Sequence, residues 1–244
     1  MIYEKKTGGK PFQFKQFSIA QDKCAMKVGT DGVLLGAWAN AVEAQKILDI
    51  GTGTGVIAIM IAQKIKDGIV HAVEIDEAAY LQARENVAQS PFLERLAVFH
   101  DSIQDYAKMC EERYDLIVSN PPFFTGGTFS LNQDKTNVRH TVKLSHGDLL
   151  QSSRQLLRTD GRFCVILPML EGLRFIEVAR NYHLYCTKVT EVIPKAGKGV
   201  ERLLIQLELT EKVVERDQLI IQHEDRNDFT EGYKNLTRAF YTIF

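Results

Sequence analysis

The 244-residue sequence lacks several features that would narrow its function at once. No apolar run approaches the length needed to span a membrane. The first residues lead into polar residues and glycine and not into the apolar core of a signal peptide. The sequence therefore predicts a cytoplasmic protein without a membrane partner. Internal repeats and low-complexity segments are absent too, so nothing suggests a repeat array or a flexible linker.

Paired cysteines are also missing. The four cysteines, Cys24, Cys110, Cys164 and Cys186, are dispersed singly, and none belongs to a Cys-x-x-Cys pair or has a histidine at ligand spacing. No metal site is therefore expected, and free thiols in a reducing compartment are the ordinary interpretation.

A strong net charge is the third absence. The formal charge is −1, so no global positive field attracts nucleic acid, and any contact with a polyanion must come from a local patch. The apolar fraction of 45% and the charged fraction of 25% are ordinary for a globular protein that builds its core without disulfides or structural metals.

From residue 46 onward, short β-branched runs alternate with segments of helical periodicity. Strands are predicted at residues 46–50, 69–75, 96–100, 115–119 and 162–167, and helices at residues 56–64, 77–89 and about 147–158, the last ending in a turn at 159–161. This alternation predicts right-handed βαβ units around a parallel sheet. Two further strands at 184–193 and 201–210, with no obvious helix between them, predict an antiparallel hairpin at the sheet edge.

The expected fold is therefore α/β, with a mainly parallel seven-stranded sheet that ends in an antiparallel hairpin. This resembles the Rossmann-like class I methyltransferase architecture. Residues 1–244 are expected to form one domain, on which residues 1–45 pack as a short N-terminal extension with an aromatic segment and a helix opening at Asp31. An amphipathic helix is expected at residues 229–240.

A glycine-rich loop follows the first predicted strand of the alternation. Asp49 precedes Gly51, Gly53 and Gly55, and glycines at alternate positions let the backbone adopt positive φ and approach a ligand closely. A dinucleotide loop needs its third glycine at position 56, where this chain has Val56. The G-x-G-x-G spacing is instead similar to the loop that binds S-adenosylmethionine.

Acidic and polar residues at the ends of the next two strands are candidates for cofactor contacts. Glu74 can accept hydrogen bonds from both ribose hydroxyls, whereas Asp76 is expected to cap the helix that follows. Asp101 or Ser102 can meet the adenine of the cofactor, although Asp101 is also a candidate helix cap.

The tetrad Asn120-Pro121-Pro122-Phe123 directly follows the strand at 115–119. Each proline restricts the residue before it, so the loop is stiff, and neither proline has an N–H to donate. The Asn120 side-chain oxygen and the Pro121 carbonyl are two fixed acceptors that suit a planar NH₂ group, and Phe123 can stack on the ring that carries it. In a doubly wound sheet this strand is a central neighbour of the strand before the glycine loop, so both loops are expected to face one pocket.

With both loops, the chain resembles the amino-methyltransferases that carry an Asn-Pro-Pro-aromatic motif. More narrowly, it is similar to the bacterial family that methylates the adenine 3′ of the anticodon in a valine tRNA. The resemblance covers nearly the whole chain, including residues 14–17, 22–32, 49–55, 73–76, 119–123, 163–168 and 236–241. It implies S-adenosylmethionine as the cofactor, with Thr30 among its contacts, and tRNA as the substrate, with no obligatory protein partner. The fourth motif residue, Phe123, departs from the tyrosine that is common in adenine enzymes.

Other functions stay open at this point. Guanine-N2 methylation of ribosomal RNA and methylation of a protein glutamine share the chemistry. A nicotinamide-dependent dehydrogenase shares the glycine loop and the acidic strand end, but gives the tetrad no role.

Basic residues near the expected active-site edge are candidates for RNA contacts. They follow the tetrad or lie in the hairpin connection, at Lys135, Arg139, Lys143, Lys195 and Lys198.

Overall fold

The computed structural model describes residues 10–24, 26–122 and 144–244. The strands are β1 (Phe12–Gln13), β2 (Ser18–Ile19), β3 (Lys46–Ile50), β4 (Ile69–Glu74), β5 (Leu96–His100), β6 (Tyr114–Ser119), β7 (Leu157–Pro168), β8 (Tyr185–Lys195), β9 (Arg202–Glu208) and β10 (Glu215–Gln222). The α-helices are α1 (Thr30–Trp38), α2 (Val56–Lys64), α3 (Glu77–Gln89), α4 (Ile103–Met109), α5 (His146–Leu156), α6 (Met169–Ala179) and α7 (Glu231–Thr237).

The main sheet has the strand order β10-β8-β9-β7-β6-β3-β4-β5. Strand β9 pairs antiparallel with both β7 and β8, and the other neighbouring pairs are parallel. The mainly parallel α/β architecture and the antiparallel hairpin are thereby confirmed, although β10, and not the hairpin, forms that edge of the sheet. The expected number of seven strands was wrong, because β10 adds an eighth beside β8.

Strand β10 escaped prediction because its sequence lacks a strand pattern. It begins Glu215-Arg216-Asp217-Gln218, and these four residues are exposed. The strand lies at the edge of the sheet, where charged residues are compatible with pairing on one side only. Its pairing with β8, and not its own hydrophobicity, holds its first half in place.

Two other elements differ from expectation. Helix α6 lies between β7 and β8 and was not predicted. The turn expected at residues 159–161 lies inside β7, where an irregularity in the pairing with β6 falls between Tyr114 and Leu116. The extra residues of β7 form a bulge there, and the sequence of this bulge resembles that of a turn.

Helices cover the sheet on both faces. One buried cluster joins the sheet to α1, α2, α3 and α7, and the other joins it to α4, α5 and α6. Helix α2 is buried along seven consecutive residues, 56–62, because it lies between the sheet and α1. A Cβ atom at Gly36 of α1 would come within 2.9 Å of Met60 Sδ, so the close packing of these helices requires glycine there.

The strand pair β1–β2 packs on the C-terminal tail. Phe14 is buried and stacks on Phe17 and Tyr241, with ring centroids 4.6 and 6.1 Å away. The Lys15 Nζ donates to the carbonyl oxygens of Arg238 and Phe244, each at 2.6 Å. An aromatic cluster therefore connects two segments that lie more than 220 residues apart in sequence.

One lysine donates hydrogen bonds to the carbonyl oxygens at the C-terminal end of α1. Lys64 Nζ, from the last turn of α2, donates to the carbonyl oxygens of Gly36 at 3.1 Å, Ala37 at 2.7 Å and Ala39. The last carbonyls of a helix lack partners within the helix, and a cation close to them also interacts favourably with the helix dipole. The orientation of α1 on α2 thus depends on this ammonium group.

We expect Lys64→Met to lower the free energy of unfolding by about 1.5–3 kcal/mol, because partly buried carbonyls lose a charged donor. Urea unfolding followed by circular dichroism measures the change. Lys66→Met, which alters an exposed lysine two residues further on, is the matched control and should change stability by less than about 0.5 kcal/mol. Equal stability of the two variants would contradict the role given to Lys64.

Candidate active site

The glycine loop lies between β3 and α2. Gly51, Gly53 and Gly55 have φ angles of 70°, 58° and 81°, in the left-handed region that disfavours other residues. A Cβ atom at Gly51 or Gly53 would meet no protein atom within 4 Å, whereas one at Gly55 would contact Ala83 of α3 at 3.5 Å. The first two glycines therefore border open space, and the third seats the loop on α3.

The Glu74 carboxylate holds the loop from the end of β4. One oxygen accepts from the Gly53 N–H at 2.8 Å, and the other accepts from the Asp76 N–H at 3.0 Å. Glu74 is 8% exposed. Asp76 caps α3 by accepting from the Ala79 N–H at 2.8 Å, as expected. Glu74 therefore fixes the loop and still presents a carboxylate beside it.

Asp49 lies beneath the loop and is fully buried. Its carboxylate accepts a hydrogen bond of 2.6 Å from the Thr52 hydroxyl. Burial, the largest effect, raises the pKa of Asp49 to about 7. Asp49 thus supports the loop from below.

The tetrad begins where β6 ends, next to the end of β3. Ile50 pairs with Ser119 in the parallel register, and the Ser119 hydroxyl donates to the Ile50 carbonyl at 2.8 Å. The residues that follow are Gly51 on one strand and Asn120 on the other. The Asn120 Oδ1 is buried and has no hydrogen-bond partner among the residues that the structure describes. Pro121 is buried and Pro122 is exposed, whereas Phe123 lies outside the described residues.

A cavity of about 590 Å³ opens between these two loops. Its walls come from the segment that enters α1, the glycine loop, the start of the tetrad and the β8–β9 connection. The lining residues include Thr30, Asp31, Gly51, Gly53, Asn120, Pro121, Pro122, Glu201 and Arg202. A smaller cavity of about 50 Å³ adjoins Gly51 on the other side and is lined by Ile75, Asp101 and Ser102, among others. The arrangement can hold an elongated ligand across the loop, with one end beside Asn120.

Known proteins with similar sequences are methyltransferases. The family model described as the methyltransferase small domain matches residues 26–174. A tRNA1(Val) (adenine(37)-N6)-methyltransferase of Histophilus somni is 42% identical over 234 residues, which cover 96% of this chain and 98% of that protein. A protein of the same name from Trichodesmium erythraeum is 44% identical over 236 residues, with the same coverage of 96% and 98%. The chain belongs to this methyltransferase family.

Solved structures agree at the level of the fold. A predicted O-methyltransferase from Agrobacterium tumefaciens has a TM-score of 0.68 at 17% identity, covering 86% of this chain and 96% of that one. TYW2 of M. jannaschii in complex with AdoMet has a TM-score of 0.54 at 15% identity, covering 85% and 88%. Both support the methyltransferase fold of the family.

The residues singled out in the sequence fall into four groups. Thr30, Gly53, Asn120, Pro121 and Pro122 line the larger cavity, Asp101 and Ser102 line the smaller one, and Gly51 lines both. Asp49, Gly55 and Glu74 support the loop and line neither cavity. Lys195 and Lys198 lie at the end of β8 and in the turn after it. Phe123, Lys135, Arg139 and Lys143 lie outside the described residues.

The polar residues of the smaller cavity also serve α4. Ser102 is its N-cap and accepts from the Asp105 N–H at 3.0 Å, while Asp101 Oδ1 accepts from the Ser102 N–H at 2.8 Å. The cap is therefore Ser102 and not Asp101. Both residues keep the strand end rigid where the cavity begins.

Sequence reasoning missed an ion pair in the cavity wall. Arg202 Nε donates to Asp31 Oδ2 at 2.9 Å, and both side chains are partly buried. Asp31 is in the first turn of α1 and Arg202 starts β9, so the pair joins the two walls. Asp31 lies in a motif that the resemblance included, but nothing local in the sequence marks Arg202 as its partner.

The described residues hold neither a metal cluster nor a membrane-spanning helix. No group of three or more histidine, cysteine or acidic residues there could hold a metal ion. No helix among them is long and apolar enough to cross a membrane.

The raised pKa of Asp49 predicts a pH-dependent effect of Asp49→Asn on stability. The folded pKa of about 7 exceeds the ordinary 3.8, so the favourable contribution of the protonated carboxyl is present at low pH and is lost as pH rises through 7. The variant does not titrate. We expect its unfolding free energy, relative to the unmodified protein, to increase by about 2–3 kcal/mol between pH 5 and pH 8. Urea titrations at both pH values measure it, and a pH-independent difference would refute the assignment.

Proposed function

We propose that this protein transfers the methyl group of S-adenosylmethionine to N6 of an adenine in tRNA, namely the adenine 3′ of the anticodon of a valine tRNA. The observation that carries the proposal is the buried Asn120 Oδ1, which lacks a partner in the described part of the chain and borders a cavity shared with the glycine loop. An unsatisfied buried acceptor is costly unless a ligand supplies the donor. The names of the relatives support adenine in a valine tRNA as the substrate.

The residues around the loop fit S-adenosylmethionine. Open space above Gly51 and Gly53 allows a ligand to lie directly on the backbone. The Glu74 carboxylate, which bonds the Gly53 N–H and lines neither cavity, is assigned to the ribose hydroxyls, and the smaller cavity with Asp101 and Ser102 is assigned to the adenine. Thr30, at the N-terminal end of α1, borders the larger cavity and suits the amino-acid end of the cofactor. When bound, the cofactor supplies a methyl group made electrophilic by a positively charged sulfur.

The chain positions the accepting amine. Asn120 Oδ1 and the Pro121 carbonyl accept the two hydrogens of the adenine NH₂ group, so that its nitrogen faces the methyl group. The amine is neutral before the transfer and needs no base to attack; its extra proton leaves afterwards. Alignment of this kind can contribute roughly 7–11 kcal/mol to catalysis.

The target base must leave its stack to reach Asn120. Unstacking costs a few kcal/mol and is least costly in a single-stranded loop. An aromatic ring that stacks on a base returns about 1–3 kcal/mol, which is the role proposed for Phe123. An anticodon loop meets this requirement, which supports tRNA over duplex RNA.

The test uses Asn120→Ala with labelled S-adenosylmethionine and purified tRNA, with digestion of the product to nucleosides. The unmodified protein should yield N6-methyladenosine. The alanine variant should lose roughly 100-fold or more in kcat, because one of two acceptors is gone, while cofactor affinity changes less than about threefold. Asn120→Asp keeps an acceptor oxygen and should retain part of the activity. Label in guanosine or protein, or normal turnover by the alanine variant, would contradict the proposal.

Lys195 and Lys198 are proposed phosphate contacts. Residues 195–198 form a turn closed by the Lys198 N–H to Lys195 carbonyl bond of 3.0 Å, and the flanking Pro194 and Glu201 line the cavity. Replacing both lysines with alanine should weaken tRNA binding and reduce the slope of log affinity against log salt by up to about 1.5–2.

The matched control is a pair of basic residues near the amino ends of the strands, on the side of the sheet opposite the cavity. Lys66 follows α2 and Arg113 precedes β6, so both lie near the amino ends of the strands. Their replacement with alanine should leave the slope unchanged. Equal slopes for the two double variants would place the RNA elsewhere.

A further inference from the structure

Helix α3 carries two buried amide side chains one turn apart. Gln82 is 0% exposed and Asn86 is 1% exposed. Buried amides normally have hydrogen-bond partners, and these partners identify the segments to which the helix is bonded. In both cases they include backbone groups of the segment before α1.

Asn86 joins that segment to the glycine loop. Its Oδ1 accepts from the Ala20 N–H at 2.9 Å, and its Nδ2 donates to the Ala20 carbonyl at 2.9 Å and to the Thr54 carbonyl at 2.8 Å. Both hydrogens of the amide are used. One side chain therefore satisfies both backbone groups of Ala20 and one carbonyl of the loop.

The segment held in this way continues over the cofactor side of the molecule. The Lys23 N–H donates to Gln82 Oε1 at 3.0 Å, and Lys23 also pairs with Glu85. Burial is the main cause that raises the pKa of the Cys24 thiol to about 11, and the charges of Glu74 and Asp76 add to it. The residues that follow, Met26 to Gly32, line the larger cavity opposite the glycine loop.

Asn86 is thus bonded both to the segment before α1, at Ala20, and to the glycine loop, at Thr54. The loop leans on the same helix, because Gly55 is in van der Waals distance of Ala83. Packing of Gly32 against Val56 and Ile57 also holds α1 near the loop, but among the described residues the hydrogen bonds from Ala20 to the loop side run through this amide alone.

We propose that Asn86 is a positioning residue for cofactor binding, which sets the spacing between the glycine loop and the segment before α1. The identity of the cofactor rests on the proposed function, whereas the coupling rests on the three hydrogen bonds. Asn86 lies behind the loop and lines neither cavity, so it acts through the loop and the segment.

The test measures affinity for S-adenosylmethionine and S-adenosylhomocysteine by calorimetry. Asn86→Leu has similar volume and loses all three bonds, so affinity should fall about tenfold or more. Gln82→Leu is the matched control, since it loses one bond to the segment and none to the loop. Val87→Ala controls for a general loss of stability, because Val87 is buried beside Asn86 and its side chain has no polar group that could bond the loop or the segment. Both controls should change affinity less than about threefold.

Hydrogen exchange gives a readout independent of activity. In Asn86→Leu the Ala20 amide should exchange faster, while the amides of α5 on the other face of the sheet should keep their protection. At saturating cofactor, kcat should change less than about threefold because Asn120 is untouched. If Asn86→Leu does not fold, Ala20→Pro removes the N–H partner from outside the helix, and it should lower affinity by more than about threefold, beyond the range of the two controls.

The outcomes separate the two proposals. If the unmodified protein binds neither compound, the proposed function fails. If it binds and Asn86→Leu binds equally well, or if Ala20→Pro does so where the leucine variant is unfolded, the role of Asn86 is refuted. An equal loss of affinity in Val87→Ala would also refute it, because the effect would then follow stability alone.

Discussion

The parallel pairing of β3 with β6 determines the geometry of the whole site. Ile50 and Ser119 are register partners, and the Ser119 hydroxyl adds a bond to the Ile50 carbonyl. The chain leaves each strand one residue later, into Gly51 and into Asn120. Both loops therefore begin at the same height on the same edge of the sheet. In the proposed function, an electrophile held by one loop would meet an amine held by the other without any large movement of the backbone.

Several of the buried side chains that hold the two loops in place are polar, which is unusual for a protein interior. Asp49, Glu74, Asn86 and Ser119 are each less than 9% exposed, and each bonds to the backbone or to a hydroxyl close to the loop. Hydrogen bonds have directions, whereas apolar contacts do not, so polar supports fix the orientation of a loop as well as its depth. The apolar clusters on both faces give stability, and the polar groups define the shape of the cavity.

Sequence reasoning recovered the parts of the site that depend on local pattern. The glycine loop, the Asn-Pro-Pro segment and the Asp76 cap each have a signature within a few residues, and the alternation of strands and helices places them on one edge. The partnership of Asp31 with Arg202 has no such signature, because it depends on strand β9 entering the sheet beside β7. Strand β10 was missed for a related reason, since its place is determined by its neighbour. The ion pair and strand β10 could not be predicted because both depend on contacts between segments that are distant in sequence.

The contact between residues 12–19 and the C-terminal tail has a consequence for biosynthesis. Phe14 needs Tyr241 as a stacking partner, and Lys15 needs the carbonyl oxygens of Arg238 and Phe244. Although residues 12–19 leave the ribosome early, they cannot complete their packing until the tail has been translated. Domains generally fold as units during synthesis, so this contact belongs to a late step in the folding of the chain. The N-terminal segment that leads to the cavity wall therefore gains its full support only after residues 238–244 have been translated.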